Sequence, residues 1–223
     1  MYDVKKSLHA VLDTLPSGVR LVAISKFHPA EYIEAAYAEG QRIFGESHEQ
    51  ELRVKHEQLP KDIEWHFIGH LQTNKVKYIA PYVSMIEAVD SLKLLQEINR
   101  QAERCGRVIR VLLELHIAEE ATKYGLTLDA CRELLEGGEW RLMTHVQICG
   151  LMMMASFVDD QEQIRREMQT AADFFDEVKM KYFVNDDAFC ERSWGMSDDY
   201  RIACETRSTM VRIGTAIVGP RIY

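Results

Sequence analysis

At 223 residues, 47% hydrophobic and 28% charged, the chain is long enough for one large domain or two small ones and has the balance of a folded globular protein. Its net charge of -8 argues against the basic face that wrapping nucleic acid requires, and no apolar run reaches the roughly 18 residues that would span a bilayer. Met1 to Ser7 lack the charged-then-apolar pattern of a signal peptide, and five scattered cysteines with no CxxC pair read as reduced thiols, so the expected setting is cytoplasmic.

Taken in chain order, short β-rich runs alternate with longer segments at helical spacing. Residues 2–14 allow a first helix. The first strand covers Arg20 to Ser25 and ends on Lys26; a helix over Ala30 to Ala38 follows. A strand at Arg42 to Gly45 leads to a helix at His48 to Gln58, and a strand at Glu64 to Ile68 to a helix at Asn74 to Ala80. Met85 to Val89 precedes a helix at Ser91 to Cys105, and Val108 to His116 precedes one at Leu128 to Glu136. Val146 to Met152 precedes a long helix at Asp160 to Lys181, Arg192 to Met196 a helix at Asp198 to Glu205, and Met210 to Gly214 is the last strand.

This alternation predicts parallel strands joined by crossover helices, and near-continuous apolar strands fit a sheet buried on both faces. The fold expectation is a single α/β domain over residues 1–223, a (β/α)8 TIM barrel. An open doubly wound sheet is the alternative, but no GxGxxG turn follows the first strand.

In such a barrel the chemistry belongs at the carboxyl ends of the strands, with phosphate often held after strands seven and eight. Lys26 ends strand one, Gly45-Glu46-Ser47 follows strand two, and Gly195-Met196-Ser197 follows strand seven. Gly214-Thr215 follows strand eight. A lysine amine suits attachment to an aldehyde, and glycine-rich turns with free N–H groups suit phosphate. An amine and a phosphate cradle on one face imply an aldehyde carrying a phosphate, namely pyridoxal 5'-phosphate. Each piece also has a plainer reading. Lys26 could be a surface lysine. Ser47 opens a capping-box pattern, and Ser197 precedes acidic first-turn residues, so each serine could serve as a helix cap. Glu46, Glu49 and Glu51 read as a solvated helix start. His66 and His70 lie in a strand and its loop, where the pair does not suit a metal. Arg212 alternates with Val211 and Ile213, which turns its guanidinium to the lumen, toward either a ligand acceptor or a structural carboxylate.

These residues lie in two long motifs, Trp65-His66-Phe67-Ile68-Gly69-His70-Leu71-Gln72-Thr73-Asn74-Lys75 and Ser208-Thr209-Met210-Val211-Arg212-Ile213-Gly214-Thr215-Ala216-Ile217-Val218-Gly219. With Val22-Ala23-Ile24-Ser25-Lys26, Phe44-Gly45-Glu46 and Gly195-Met196-Ser197-Asp198-Asp199-Tyr200, the chain resembles the pyridoxal phosphate homeostasis protein family almost end to end. The resemblance implies a barrel like the N-terminal domain of alanine racemase. It also implies a Schiff base between pyridoxal 5'-phosphate and Lys26, Arg212 facing the pyridine nitrogen, and a phosphate on Ser197, Gly214 and Thr215. The candidate cofactor contacts are thus Lys26, Ser47, Met196, Ser197, Arg212, Gly214 and Thr215, with no metal ligand and no assigned catalytic residue. Ser47-His48 stands where the family has Asn-Tyr, Arg207 where it commonly has Gly, and His116 where it usually has Asn.

The function this implies is that of a carrier or regulator of intracellular pyridoxal 5'-phosphate, with effects on amino-acid levels. The implied partners are the cofactor and pyridoxal-phosphate-dependent client enzymes, with the chain a monomer. An arginine cannot give up its proton, so facing the pyridine nitrogen it would weaken the ring as an electron sink. Low catalytic power is therefore expected, and Arg212→Leu is expected to cost little stability without the cofactor. The alternatives are a small pyridoxal-phosphate-dependent racemase or lyase, for which His66 is the nearest proton-transfer candidate, and a protein-interaction module. The chain ends at Tyr223, directly after the phosphate turn, so no second domain is expected.

Overall fold

The computed structural model describes residues 2–117 and 124–220. After α1 (Val4–Leu12), eight strands alternate with helices: β1 (Arg20–Ile24), α2 (Ala30–Ala38), β2 (Ile43–Glu46), α3 (Glu49–Gln58), β3 (Glu64–Phe67), α4 (Val76–Ile79) and β4 (Met85–Val89). Then come α5 (Leu92–Arg104), β5 (Ile109–Leu115), α6 (Leu128–Gly137), β6 (Val146–Met153), α7 (Gln161–Tyr182), β7 (Glu191–Ser193), α8 (Tyr200–Glu205), β8 (Met210–Ile213) and α9 (Thr215–Val218). All strand pairs are parallel, and β1 pairs with both β2 and β8, so the sheet closes into a barrel. The chain is thus a (β/α)8 barrel, and the open doubly wound alternative is set aside.

Strand alternation divides the barrel into two cores. Leu21, Ala23, Phe44, Trp65, Phe67, Val111, Leu113, Val211 and Ile213 pack outward under the helices. Val22, Met85, Leu112, Met152 and Met210 fill the lumen. Helix residues such as Ile33, Leu52 and Ile98 are completely buried against the outer face, each contributing about 1.5–3 kcal/mol. Several helix starts carry the expected caps: Asp3 accepts from the Lys6 amide, Ser91 from that of Leu94, and Asp160 from those of Glu162 and Gln163. Among the described residues, no helix is long and apolar enough to cross a membrane.

The structure departs from the sequence expectation near the carboxyl face. β7 stops at Ser193, because Gly195 turns the chain at φ 94°. A Cβ there would lie 2.4 Å from the Ala203 Cβ, so the turn against α8 admits only glycine. The helix α9, too short to show a period, was not anticipated; it packs on α1.

Candidate functional site

A cavity of about 570 Å³ opens at the carboxyl ends of the strands. Its wall takes Lys26 from the turn after β1, Met196 and Ser197 from the loop after β7, Arg212 from β8, and Gly214 and Thr215 from the start of α9. Ile24, Ile68 and Met154 supply apolar wall. Six of the seven candidate residues thus meet at one cavity. Ser47 does not line it; its hydroxyl pairs with His48 Nδ1 at 3.1 Å.

Neither serine caps its helix. α3 starts from His48 without a side-chain cap, and α8 starts from Asp199, so Ser197 stands outside the first turn. The Ser197 hydroxyl instead accepts from the Gly214 amide at 3.3 Å and the Ala216 amide at 3.4 Å. These N–H groups open α9 and converge on one small polar group at the cavity wall. Gly214 presses on β1: a Cβ there would lie 3.2 Å from Ile24 Cβ and 3.3 Å from Ile24 O. The loop is held from beneath by buried Asp199, whose carboxylate accepts from the Met196 amide and whose pKa burial raises.

Arg212 points into the lumen, as strand alternation requires, and is anchored there. Nη1 donates to Ser193 O at 2.7 Å and Ser193 Oγ at 2.6 Å, and Nη2 donates to Met153 O at 2.8 Å. Glu87 Oε2 lies 3.8 Å from Nη1 and accepts from Ser193 Oγ at 2.5 Å, while Glu87 Oε1 pairs with His66 Nδ1 at 2.6 Å. The guanidinium therefore has a buried carboxylate close by, the structural partner that its inward direction leaves open beside a ligand acceptor. Burial works to raise the Glu87 pKa, but the bond to His66 and the charges of His66 and Arg212 outweigh it and hold it low. A second lumen acid, Glu114, is pushed up to about 7 by burial, reinforced by Asp90 and opposed by Arg212. His66 is buried, with Nε2 lacking a protein partner, and it does not line the cavity. It is therefore not placed for the proton transfer that a racemase or lyase would ask of it. Glu87 and Ser193 escaped sequence reading, yet a glutamate inside the apolar run Met85–Val89 is a visible anomaly.

The acids after β2 are not a solvated helix start. Glu46 is completely buried, Glu51 is partly buried, and Glu49 pairs with Lys75 at 2.7 Å. Lys55, also buried, reaches across from α3 to Glu46 Oε1 at 2.7 Å, Glu51 Oε1 at 2.6 Å and Ser25 O at 2.8 Å. Burial pushes the Glu46 carboxyl up to about 7, against the pull of Lys55. Beside this cluster, Phe27 adopts φ 64°, a left-handed conformation that costs a residue with a side chain about 1–2 kcal/mol.

Comparison with known proteins places this geometry. The family of the alanine racemase N-terminal domain matches residues 4–221. A pyridoxal phosphate homeostasis protein of Aquifex aeolicus (strain VF5) is 37% identical over 206 residues, 92% of this chain and 88% of its own length. PipY of Synechococcus elongatus PCC7942, solved with PLP bound, superimposes with a TM-score of 0.87 at 31% identity, over 97% of this chain and 100% of that one. The alanine racemase of Clostridium difficile 630 shares the fold alone, with a TM-score of 0.71 at 14% identity over 96% of this chain and 56% of that one.

Proposed function

The chain belongs to the pyridoxal phosphate homeostasis proteins, within the alanine racemase N-terminal domain family, and from that premise we propose that it binds pyridoxal 5'-phosphate and carries or regulates the intracellular supply. The carrying observation is that one cavity collects Lys26, the buried Arg212, Gly214, Thr215 and Ser197, whose hydroxyl accepts from the Gly214 and Ala216 amides. This donor set fits the group: a nucleophilic amine, a fixed cation, and a polar turn at the start of a helix whose opening glycine already touches Ile24.

When bound, the cofactor supplies an aldehyde that condenses with an amine and releases one water. Lys26 offers that amine. Ser197 and the backbone of Gly214 and Thr215, beside the Met196 turn, would hold the phosphate at the start of α9. Arg212 would offer its guanidinium to the ring nitrogen, the role that the family resemblance implies for it. Its Nη1 and Nη2 are tied to Ser193 and Met153, so it meets a ligand as a preset group rather than a mobile one. Because an arginine keeps its proton, it donates and does not protonate the ring, which favours storage over turnover. Ser47, turned onto His48, contributes only if it rotates to the cavity. One barrel domain suffices for this role; service to pyridoxal-phosphate-dependent client enzymes, as a cytoplasmic monomer with effects on amino-acid levels, belongs to the same proposal.

Equilibrium dialysis of the apo-protein against pyridoxal 5'-phosphate, with inorganic phosphate as competitor, tests this reading. Retention of the cofactor that phosphate weakens is expected; no retention would overturn it.

A further inference from the structure

Lys26 stands in a turn whose two flanking residues are tied to one buried charge cluster. On its amino side, Ser25 O accepts from Lys55 Nζ at 2.8 Å, and Ser25 Oγ donates to Glu46 Oε1 at 2.6 Å. On its carboxyl side, the Phe27 amide donates to Glu51 Oε1 at 2.7 Å. Lys55 Nζ joins both halves, bonding Glu46 Oε1 at 2.7 Å and Glu51 Oε1 at 2.6 Å. An ammonium has three donors, and Ser25, Glu46 and Glu51 use all of them. We infer that Lys55 is a positioning residue: through Ser25, Glu46 and Glu51 it fixes the turn that aims the Lys26 amine into the cavity.

Three observations carry this beyond ordinary ion pairing. Lysine is almost never fully buried, yet Lys55 is 5% exposed. Stability alone is a weak reason for such a cluster, because well-packed apolar residues often replace a buried ion pair without loss. And Phe27 holds a left-handed φ, a conformation that persists only where the surroundings over-determine it; its amide bond to Glu51 is one such constraint. Glu51 and Lys55 sit four residues apart on α3, so a single helix face delivers both groups to the turn. Buried His28, whose amide also donates to Ser25 O, borders the same cluster. Burial and the Lys55 charge lower its pKa, against the pull of Glu51.

The inference rests on the proposed attachment of the cofactor at Lys26, and its test separates the two. Full-length apo-protein, wild type and Lys55→Met, is mixed with pyridoxal 5'-phosphate, and borohydride-trapped adduct on Lys26 is followed in time by peptide mass spectrometry. Binding of pyridoxine 5'-phosphate, which has the phosphate and ring but no aldehyde, is measured in parallel. Lys55→Met should slow adduct formation by about 10- to 100-fold, the scale of a misplaced reacting group, while pyridoxine 5'-phosphate affinity stays within about twofold. Glu51→Ala, which removes the partner of the Phe27 amide from a less buried position, should act in the same direction and covers failure of Lys55→Met to fold. Wild-type trapping rates in both variants overturn the inference. So does parallel loss of both ligands, which would mark a purely structural cluster. A wild-type protein that traps no adduct on Lys26 sinks the cofactor assignment itself, and this inference with it.

Discussion

Arg212→Leu should destabilise the apo-protein severely, the reverse of what its sequence position suggests. The substitution removes the donors to Ser193 O and Met153 O, two buried main-chain acceptors. It also removes the cation 3.8 Å from Glu87, a carboxylate with no solvent exposure. Glu87 keeps its bonds to His66 and Ser193, which moderates the loss. Breaking one side of a buried charged pair costs about 3–5 kcal/mol. At a urea dependence of about 2 kcal/mol per M, the unfolding midpoint should fall by about 2 M. The assay is urea unfolding of apo-protein followed by far-UV circular dichroism. Arg212→Lys should fall between, because one ammonium restores the charge but cannot fork to both carbonyls. Adding Glu87→Gln to Arg212→Leu should recover part of the loss, since the uncompensated charge is gone. A midpoint shift below about 0.5 M, with strictly additive double substitution, would refute this account of the lumen.

Three further outcomes follow from the same geometry. Gly214→Val crowds Ile24 and the amide turn, so cofactor affinity measured by dialysis should fall by at least about tenfold, alongside a smaller fall in the urea midpoint; an intact fold with unchanged affinity contradicts the phosphate assignment. Glu46 is raised from 4.5 to about 7, so between those values the folded state binds more protons than the unfolded chain, and this group's contribution to stability falls as pH rises through that window. Glu46→Gln should therefore gain stability relative to wild type between pH of about 5 and about 8, and a thermal-unfolding difference that does not change with pH would exclude the shift. Arg207 sits at φ 66° with exposed ion pairs to Asp173 and Asp176, so Arg207→Gly should leave stability unchanged or raise it by about 1 kcal/mol; a loss would show that the ion pairs outweigh the strain.

What the sequence made visible depended on locality. α2 and β4 have the bounds their periodicity gives, and the alternation at Val211, Arg212 and Ile213 turned Arg212 inward. Arg207 takes a left-handed φ of 66°, the conformation that suits the glycine which the family resemblance implies at this position. The misreadings involve partners far apart in the chain. Ser193 meets Glu87 across 106 residues, and no local pattern announces that pairing. Glu46 looked solvated because its partner is a lysine on the next helix, although the spacing of Glu51 and Lys55 was there to be read. β7 looked longer because Trp194 continues the apolar run past the last paired residue, and Gly195 then turns the chain. Ser47 and Ser197 looked like caps because a serine before acidic residues fits that pattern; the helices start one and two residues later, from His48 and Asp199.

The central claim is that Lys26 is the residue that takes the cofactor. Apo-protein loaded with pyridoxal 5'-phosphate, reduced with borohydride and digested should carry the added mass on the peptide containing Lys26, and Lys26→Ala should carry none. The added mass on another lysine, such as Lys55 or Lys75, with Lys26 unmodified, would contradict the account.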